Sequence, residues 1–246
     1  MIQRAGVRQG GVLSPDLYSI YVDELLEKLE KTNRGCHYHG IFAAALFYAD
    51  DMAVLAPSVK GLEILLKLCG EFCAEWDICL NAKKSRTLYF GKRTDIHHTI
   101  LLNGKPVEWV DEWVYLGLTL KSGRTFECSV TERIKKFYRC ANAIFRIDGR
   151  SNDMVMLKLI ETHCIPILTY GIEVIHVANR DERRQLRVAY NSVFRKIFYY
   201  RWSESVTALQ GFLGRPTWEE LMYERHLRFT QRLLSSSKAT LAQYLL

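Results

Sequence analysis

Phe47-Tyr48-Ala49-Asp50-Asp51-Met52 sets two adjacent carboxylates between two apolar runs. Ile41-Phe42-Ala43-Ala44-Ala45-Leu46 leads into it, and Ala53-Val54-Leu55-Ala56-Pro57 leads out. Each run is too short for most helices, so the pair reads as a buried β-hairpin with acids at its tip. A carboxylate buried beside apolar strands is costly unless its charge is compensated. Mg²⁺ is the natural compensator, because it takes hard oxygen ligands and is held by one or two protein carboxylates plus phosphates. Successive strand side chains face opposite ways, so Asp50 and Asp51 share one ion equally only if the turn re-aims one of them. Asp50 is the expected direct ligand and Asp51 the weaker one. Without further context, the same six residues also read as an ordinary exposed turn.

Around this hairpin lies a chain of 246 residues, 48% hydrophobic and 25% charged. That suits one large globular domain or two small ones. The longest run without charge or breaker ends at Asp50 and is far too short to span a membrane. Met1-Ile2-Gln3-Arg4 leads into Gly and polar residues, not an apolar signal core, so an intracellular protein is expected. The seven cysteines include no Cys-x-x-Cys, which argues against a disulfide framework or zinc site. Cys69 and Cys73 sit one helical turn apart and read as core. Cys36-His37-Tyr38-His39 lacks a second ligand pair at metal spacing, and His97-His98 reads as solvated loop. Through Gly123 there are 14 Lys/Arg against 15 Asp/Glu, a balance of −1; from Arg124 onward there are 20 against 12, a balance of +8. A basic half suits phosphate backbone, although scattered basic residues also simply solvate helices.

Taken in order, residues 1–15 form a loop whose glycines allow close backbone approach to a ligand. Ser14-Pro15 predicts a helix start with Ser as cap. Leu17, Ile20, Tyr21, Leu25 and Leu29 form its apolar face, and Asn33-Arg34-Gly35 stops it. After the acidic hairpin, Ser58 caps a second helix running to about Cys79, its buried face supplied by Leu62, Leu65, Leu66, Leu68, Phe72, Cys73 and Trp76. Thr87 to Gly91 is strand-like. Ile100 to Lys105 and Val107 to Leu120 read as short strands with an Asn-Gly turn. Lys121 to Arg124 is the expected boundary, giving domains 1–122 and 123–246. Helices are predicted from about Glu127 to Ile147, Asp153 to Cys164, Arg180 to Tyr199 and near Trp218 to Leu234. Arg133, Lys135, Lys136 and Arg139 cluster on the first of these, and Arg183, Arg184, Arg187, Arg195 and Lys196 on the third. Tyr190, Phe194, Phe198, Tyr199 and Tyr200 interleave there, but an aromatic stripe at helical spacing is more often core than base platform. The basic residues are therefore the expected nucleic-acid contacts. Ser235-Ser236-Ser237 reads as a fraying tail.

Tyr-Ala-Asp-Asp inside an apolar hairpin resembles the catalytic motif of reverse transcriptases. Its neighbours extend the likeness. Gly6-Val7-Arg8-Gln9-Gly10-Gly11-Val12-Leu13-Ser14-Pro15 resembles the Arg-Gln-Gly…Leu-Ser-Pro segment of non-LTR (LINE-type) retrotransposon polymerases. Leu80-Asn81-Ala82-Lys83-Lys84-Ser85 resembles their Asn-x-x-Lys-Thr/Ser segment, and Tyr115-Leu116-Gly117 their primer-grip hairpin. Ile165-Pro166-Ile167-Leu168-Thr169-Tyr170-Gly171-Ile172-Glu173-Val174 resembles the helical segment after the palm in the LINE branch, except that Ile175 stands where that branch usually has Trp. These landmarks fall in family order.

The resemblance implies an α+β chain: a partial polymerase palm, an antiparallel sheet with helices on one face, followed by an all-helical thumb-like region. It implies RNA-directed DNA polymerisation with two Mg²⁺ ions, deoxynucleoside triphosphates, an RNA template and a DNA primer. Asp50 and Asp51 become metal ligands, and Lys84, with Lys83 as competitor, helps the pyrophosphate leave. Arg8, Gln9, Gly10 and Tyr48 meet nucleotide and template, and Tyr115, Leu116 and Gly117 support the primer end. The family's bridging carboxylate comes from a strand before the Arg-Gln-Gly segment, where this sequence has only Met1 to Ala5. The expectation is thus a C-terminal fragment, inactive alone and prone to associate through an exposed strand edge. The alternatives are a non-catalytic RNA-binding remnant and an inert product of a decayed element.

Overall fold

The computed structural model describes residues 12–92, 98–147, 152–175 and 180–236. These fall into two compact units. The first holds the described residues up to Thr87 together with 98–109, and the second holds 88–92 and the described residues from Val110 onward.

In the first unit the order is α1 (Ser14–Lys31), β1 (His37–Tyr38), β2 (Ile41–Phe42), β3 (Ala45–Tyr48), β4 (Asp51–Val54), α2 (Val59–Glu75), β5 (Arg86–Thr87), β6 (Ile100–Leu102) and β7 (Lys105–Trp109). Helix α2 is its spine. Ser58 caps it as expected, its hydroxyl accepting the Gly61 N–H at 3.1 Å. One face, with Leu65, Cys69, Phe72 and Cys73, packs on Leu25 and Leu29 of α1 and on Ala45, Phe47, Met52 and Val54 of β3 and β4. Another, with Leu62 and Leu66, meets Ile100, Leu102 and Val107 of the β6–β7 hairpin. Two core clusters thus share one helix, which the 3.6-residue period permits when apolar positions exceed a single stripe.

Several expectations need correction. Ser14 is the first helical residue of α1, and Leu13 holds the cap position. The first fully buried residue of α1 is Val22, and Leu17 and Ile20, read as part of the apolar face, stay exposed. On α2, Trp76 is exposed too, because the helix ends at Glu75 and Asp77 turns the chain with a φ of 55°. The strands do not join in one antiparallel sheet. Two-stranded pairs β1–β2 and β3–β4 stand beside a three-stranded sheet ordered β5-β7-β6, in which β5 runs parallel to β7.

The second unit runs β8 (Glu112–Tyr115), β9 (Leu118–Lys121), β10 (Glu127–Ser129), α3 (Thr131–Ile147), α4 (Asp153–His163), α5 (Ile165–Thr169), α6 (Ile172–Ile175), α7 (Arg180–Ile197), α8 (Thr207–Phe212) and α9 (Trp218–Ser235). Its core gathers Phe137, Leu157, Ile160, Leu168, Leu186 and Phe194 from four helices, and Leu120, Cys128 and Val130 from the strand end. The predicted helix from Glu127 therefore starts later, at Thr131, because Glu127 to Ser129 pairs with β9. The alternation Phe126, Glu127, Cys128, Ser129, Val130, with Cys128 and Val130 buried, carried that strand signal. The compact units divide at Trp109–Val110, because β8, β9 and β10 form one antiparallel sheet that groups with the helices. No described helix is long and apolar enough to cross a membrane.

Candidate active site

Strands β3 and β4 pair in the register Ala45–Val54, Leu46–Ala53, Phe47–Met52 and Tyr48–Asp51, leaving Ala49 and Asp50 as a two-residue loop. Loops of this length favour residues of positive φ, and Ala49 takes 51° despite its Cβ. Phe47 and Met52 face the core, with the Met52 sulfur 4.0 Å from the Cys69 thiol. By alternation Tyr48 and Asp51 face the other way, side by side as a cross-strand pair. Tyr48 is 65% exposed and Leu46 44% exposed, and Asp50 and Asp51 are exposed as well. The hairpin is thus buried on one face only, and the expectation of buried acids is corrected. Water already solvates both carboxylates, so desolvation does not by itself demand a metal there.

Asp50 nevertheless has a specific neighbour. Burial raises the Tyr18 phenol of α1 above its ordinary value, and the charges of Cys73 and Asp50 add to that. Asp50 is thus within electrostatic reach of α1, while Asp51 is the cross-strand partner of Tyr48. Two hard oxygen donors on a two-residue span suit one Mg²⁺ held otherwise by water and substrate phosphates. They fall short of a two-ion bridge, and no group of three or more His, Cys, Asp or Glu fit to hold a metal occurs among the described residues. The same holds for Cys36-His37-Tyr38-His39.

Lys84 sits in the turn after α2. Its backbone N–H donates to the Asn81 carbonyl and side chain at 3.0 and 3.2 Å, and its side chain is exposed. The Lys83 carbonyl accepts from Arg86 Nη1 at 2.6 Å. No hydrogen bond or ion pair joins either lysine to Asp50 or Asp51 among the described residues. Arg8, Gln9 and Gly10 lie outside the described residues, as does His97.

Tyr115, Leu116 and Gly117 close the β8–β9 hairpin, with Tyr115 opposite Leu118. Leu116 and Gly117 form the two-residue loop at φ 46° and 77°. A leucine at positive φ is strained, and here a partner holds it. Tyr170, just after α5, donates its hydroxyl to the Leu116 carbonyl at 2.8 Å. Its ring lies so close that a Cβ on Gly117 would come 3.1 Å from Tyr170 Cε1. Gly171, at φ 59°, brings the chain past Leu118 with equally little room. Glu173 then pairs with Arg225 of α9 at 3.5 Å. The Tyr170-Gly171-x-Glu173 segment is therefore a clamp that ties the hairpin loop to the helices. Sequence reading located the segment but gave no role to Tyr170, since the contact spans 54 residues of chain.

The basic residues divide sharply. Arg133 is 8% exposed and its Nη1 has no hydrogen-bond partner among the described residues. Burial lowers its pKa, while Cys128, Tyr170, Glu173 and Glu182 oppose that shift. It is an interior charge and not a backbone contact. Lys135 bonds Glu132 at 2.6 Å, Arg139 lies 4.0 Å from the same carboxylate, and Arg187 pairs with Glu219 at 3.2 Å. Lys136, Arg183 and Arg184 are exposed on α3 and α7.

Residues 1–120 match the family model described as Reverse transcriptase (RNA-dependent DNA polymerase). The chain is 26% identical, over 93% of its length, to the RNA-directed DNA polymerase from mobile element jockey of Drosophila melanogaster. The chain belongs to the reverse transcriptase family. It is also 27% identical, over 94% of its length, to the probable RNA-directed DNA polymerase from transposon BS of the same organism. With the retrovirus-related Pol polyprotein from type-2 retrotransposable element R2DM it shares 28% identity over 70% of its length. These are non-LTR retrotransposon reverse transcriptases. The chain spans about a quarter of the length of the jockey and BS relatives. The family match contains the acidic hairpin and ends within β9, while the relatives' similarity also takes in the Tyr170 clamp.

Proposed function

We propose that this reverse transcriptase chain supplies part of the active site for RNA-directed DNA synthesis, in which a primer 3′-hydroxyl attacks a deoxynucleoside triphosphate and pyrophosphate leaves. The observation that carries the reading is the Tyr48-Ala49-Asp50-Asp51 loop, which holds two exposed carboxylates on a strained two-residue span within the family-matched region. Asp50 and Asp51 would hold Mg²⁺, which when bound neutralises triphosphate charge and favours the ionised primer hydroxyl. Tyr48 offers an exposed ring beside Asp51 to the nucleotide, and Arg8, Gln9 and Gly10 complete contact with nucleotide and template. Lys84 donates its proton toward the departing pyrophosphate. The hairpin loop Tyr115, Leu116 and Gly117 supports the primer end. Lys135, Lys136, Arg139, Arg183, Arg184 and Arg187 face the phosphate backbone of the RNA template and DNA primer. On this reading residues 1–122 are palm and 123–246 thumb, acting inside the cell.

Two carboxylates favour a second element of the proposal: the 1–246 polypeptide alone does not polymerise, and binds RNA without extending a primer. The described residues contain no third acid at the loop, so the two-ion geometry needs a carboxylate from elsewhere. The test is primer extension on a homopolymer RNA template, with Mg²⁺ or Mn²⁺. The polypeptide alone should give no product. A chimaera in which it replaces the matching segment of the jockey polymerase should extend, and Asp50→Asn and Asp51→Asn should each abolish extension. A folded chimaera that stays inactive, or extension that survives both substitutions, would overturn the assignment.

A further inference from the structure

A groove of about 380 Å³ opens between α3 and α7 in the second unit. Its floor is apolar, from the buried Ala141 and Val193. Its walls carry Phe145, Arg195, Lys196, Tyr200 and Trp202. The volume lies at the low end of the range, about 300–1,000 Å³, of pockets that enclose small ligands.

The groove is a built feature. Helix α7 ends at Ile197, and Tyr199 reverses the chain with a φ of 59°. The returning segment is then pinned to the helix end: the Tyr200 N–H donates to the Arg195 carbonyl at 3.0 Å, and Arg195 Nε donates to the Glu204 carbonyl at 3.0 Å. This sets the Arg195 guanidinium 5.3 Å from the Trp202 ring centroid. On the other wall Lys196 Nζ lies 4.2 Å from the Phe145 ring centroid and donates to Asn142 Oδ1 at 3.0 Å. Trp202 is 67% exposed and Tyr200 39% exposed, so both rings keep a face in water.

Arg195 and Lys196 are satisfied differently from several other cations of the unit. Arg187, Arg215, Arg225 and Arg228 each end on a carboxylate. Arg195 and Lys196 make no ion pair among the described residues and are satisfied by neutral acceptors and ring faces. The acid nearby in the chain, Glu204, accepts the Arg201 N–H. Two uncompensated cations therefore stand beside flat, exposed aromatic rings, which is the pairing that holds stacked bases and their phosphates.

We propose that this groove is a binding site for single-stranded nucleic acid, taking one unstacked base against Trp202 and Tyr200 with the adjoining phosphate on Arg195 and Lys196. It deepens the nucleic-acid reading above and does not depend on the acidic hairpin. A duplex keeps its bases stacked away from such rings, so the site selects a single strand. An acidic peptide would satisfy the cations but leave the ring faces unused.

The experiment titrates the full chain, in EDTA, with a short fluorescent single-stranded oligonucleotide, reading anisotropy and tryptophan quenching. Stacking lost on truncation to alanine should weaken binding by about 5- to 150-fold per base. Trp202→Ala should show that loss and remove the quench, Tyr200→Ala should weaken binding, and Trp202→Phe should restore most of the affinity. Trp202 is exposed, so an unchanged circular dichroism melt will verify that Trp202→Ala still folds. Equal binding by wild type and Trp202→Ala, equal affinity for a blunt duplex, or full competition by polyglutamate would each overturn the site. Because no metal or extension is involved, the groove can stand if the polymerase test fails, and can fall if that test succeeds.

Discussion

Ala49 carries a Cβ where a two-residue hairpin loop ordinarily selects glycine or asparagine. Leu116 does the same in the β8–β9 loop, at φ 46°. The β6–β7 hairpin, to which no chemistry was assigned, uses the unstrained pair Asn103-Gly104 at φ 50° and 72°. Ala49 and Leu116 thus strain the two hairpin loops that match polymerase landmarks, while the β1–β2 and β6–β7 loops use His39-Gly40 and Asn103-Gly104, residue types that tolerate positive φ. Ala49→Gly should relieve the Cβ clash and raise unfolding free energy by up to about 1 kcal/mol, part of the gain being offset by added freedom in the unfolded chain. Urea denaturation measures this through the midpoint at constant slope. A lower midpoint for the glycine variant would mean that Ala49 is not strained.

At the scale of elements, the β8–β9 hairpin depends on residues far along the chain. Tyr170 contributes one neutral hydrogen bond to the Leu116 carbonyl, so Tyr170→Phe should cost about 1 kcal/mol. Gly117→Ala should cost more than that. It combines a φ of 77° with a Cβ 3.1 Å from the Tyr170 ring, and the ring is anchored by its own hydroxyl. In the double variant the losses should fall short of additive, because the freed ring can give way. Denaturant midpoints of the three variants decide this. A neutral Gly117→Ala would show that the loop is loose and that the clamp does not set its shape.

For the whole molecule, the first unit leaves much apolar surface in water. Val12, Leu13, Leu17 and Ile20 are exposed at the start of α1, and Leu46 and Tyr48 on the outer face of the hairpin. Strands β3 and β4 pair only with each other among the described residues, so neither ladder edge has a strand partner there. Such edges recruit further strands, and contiguous apolar surface recruits partners. The 1–246 polypeptide should therefore self-associate at micromolar concentration in sedimentation velocity. Leu46→Lys combined with Tyr48→Lys should shift it toward monomer, since neither side chain contributes to the core. A single monomeric species for the parent across the concentration range would refute this.

Local chemistry by itself determined the acidic hairpin, the Ser58 cap and the Asn103-Gly104 turn, because each is set by residues within a few positions of one another. It also marked Cys69 and Cys73 as core, since helical period places them on the buried stripe of α2. The family membership was legible for the same reason: its landmarks are short and ordered along the chain. Tertiary structure decided what depends on distant partners. Asp50 and Asp51 proved exposed because α2 covers only one face of their hairpin. Arg133, indistinguishable in sequence from Lys136, turned inward beside the buried Phe137 core, which no local signal records. Leu17 and Ile20 kept their helical spacing but lost their burial, since full burial in α1 begins only at Val22. The groove beside Trp202 stayed invisible because Phe145 and Lys196 are brought together across some fifty residues of chain by the packing of α3 on α7. Periodicity tells which face of an element is apolar; only the assembled partners tell how far along that face burial reaches.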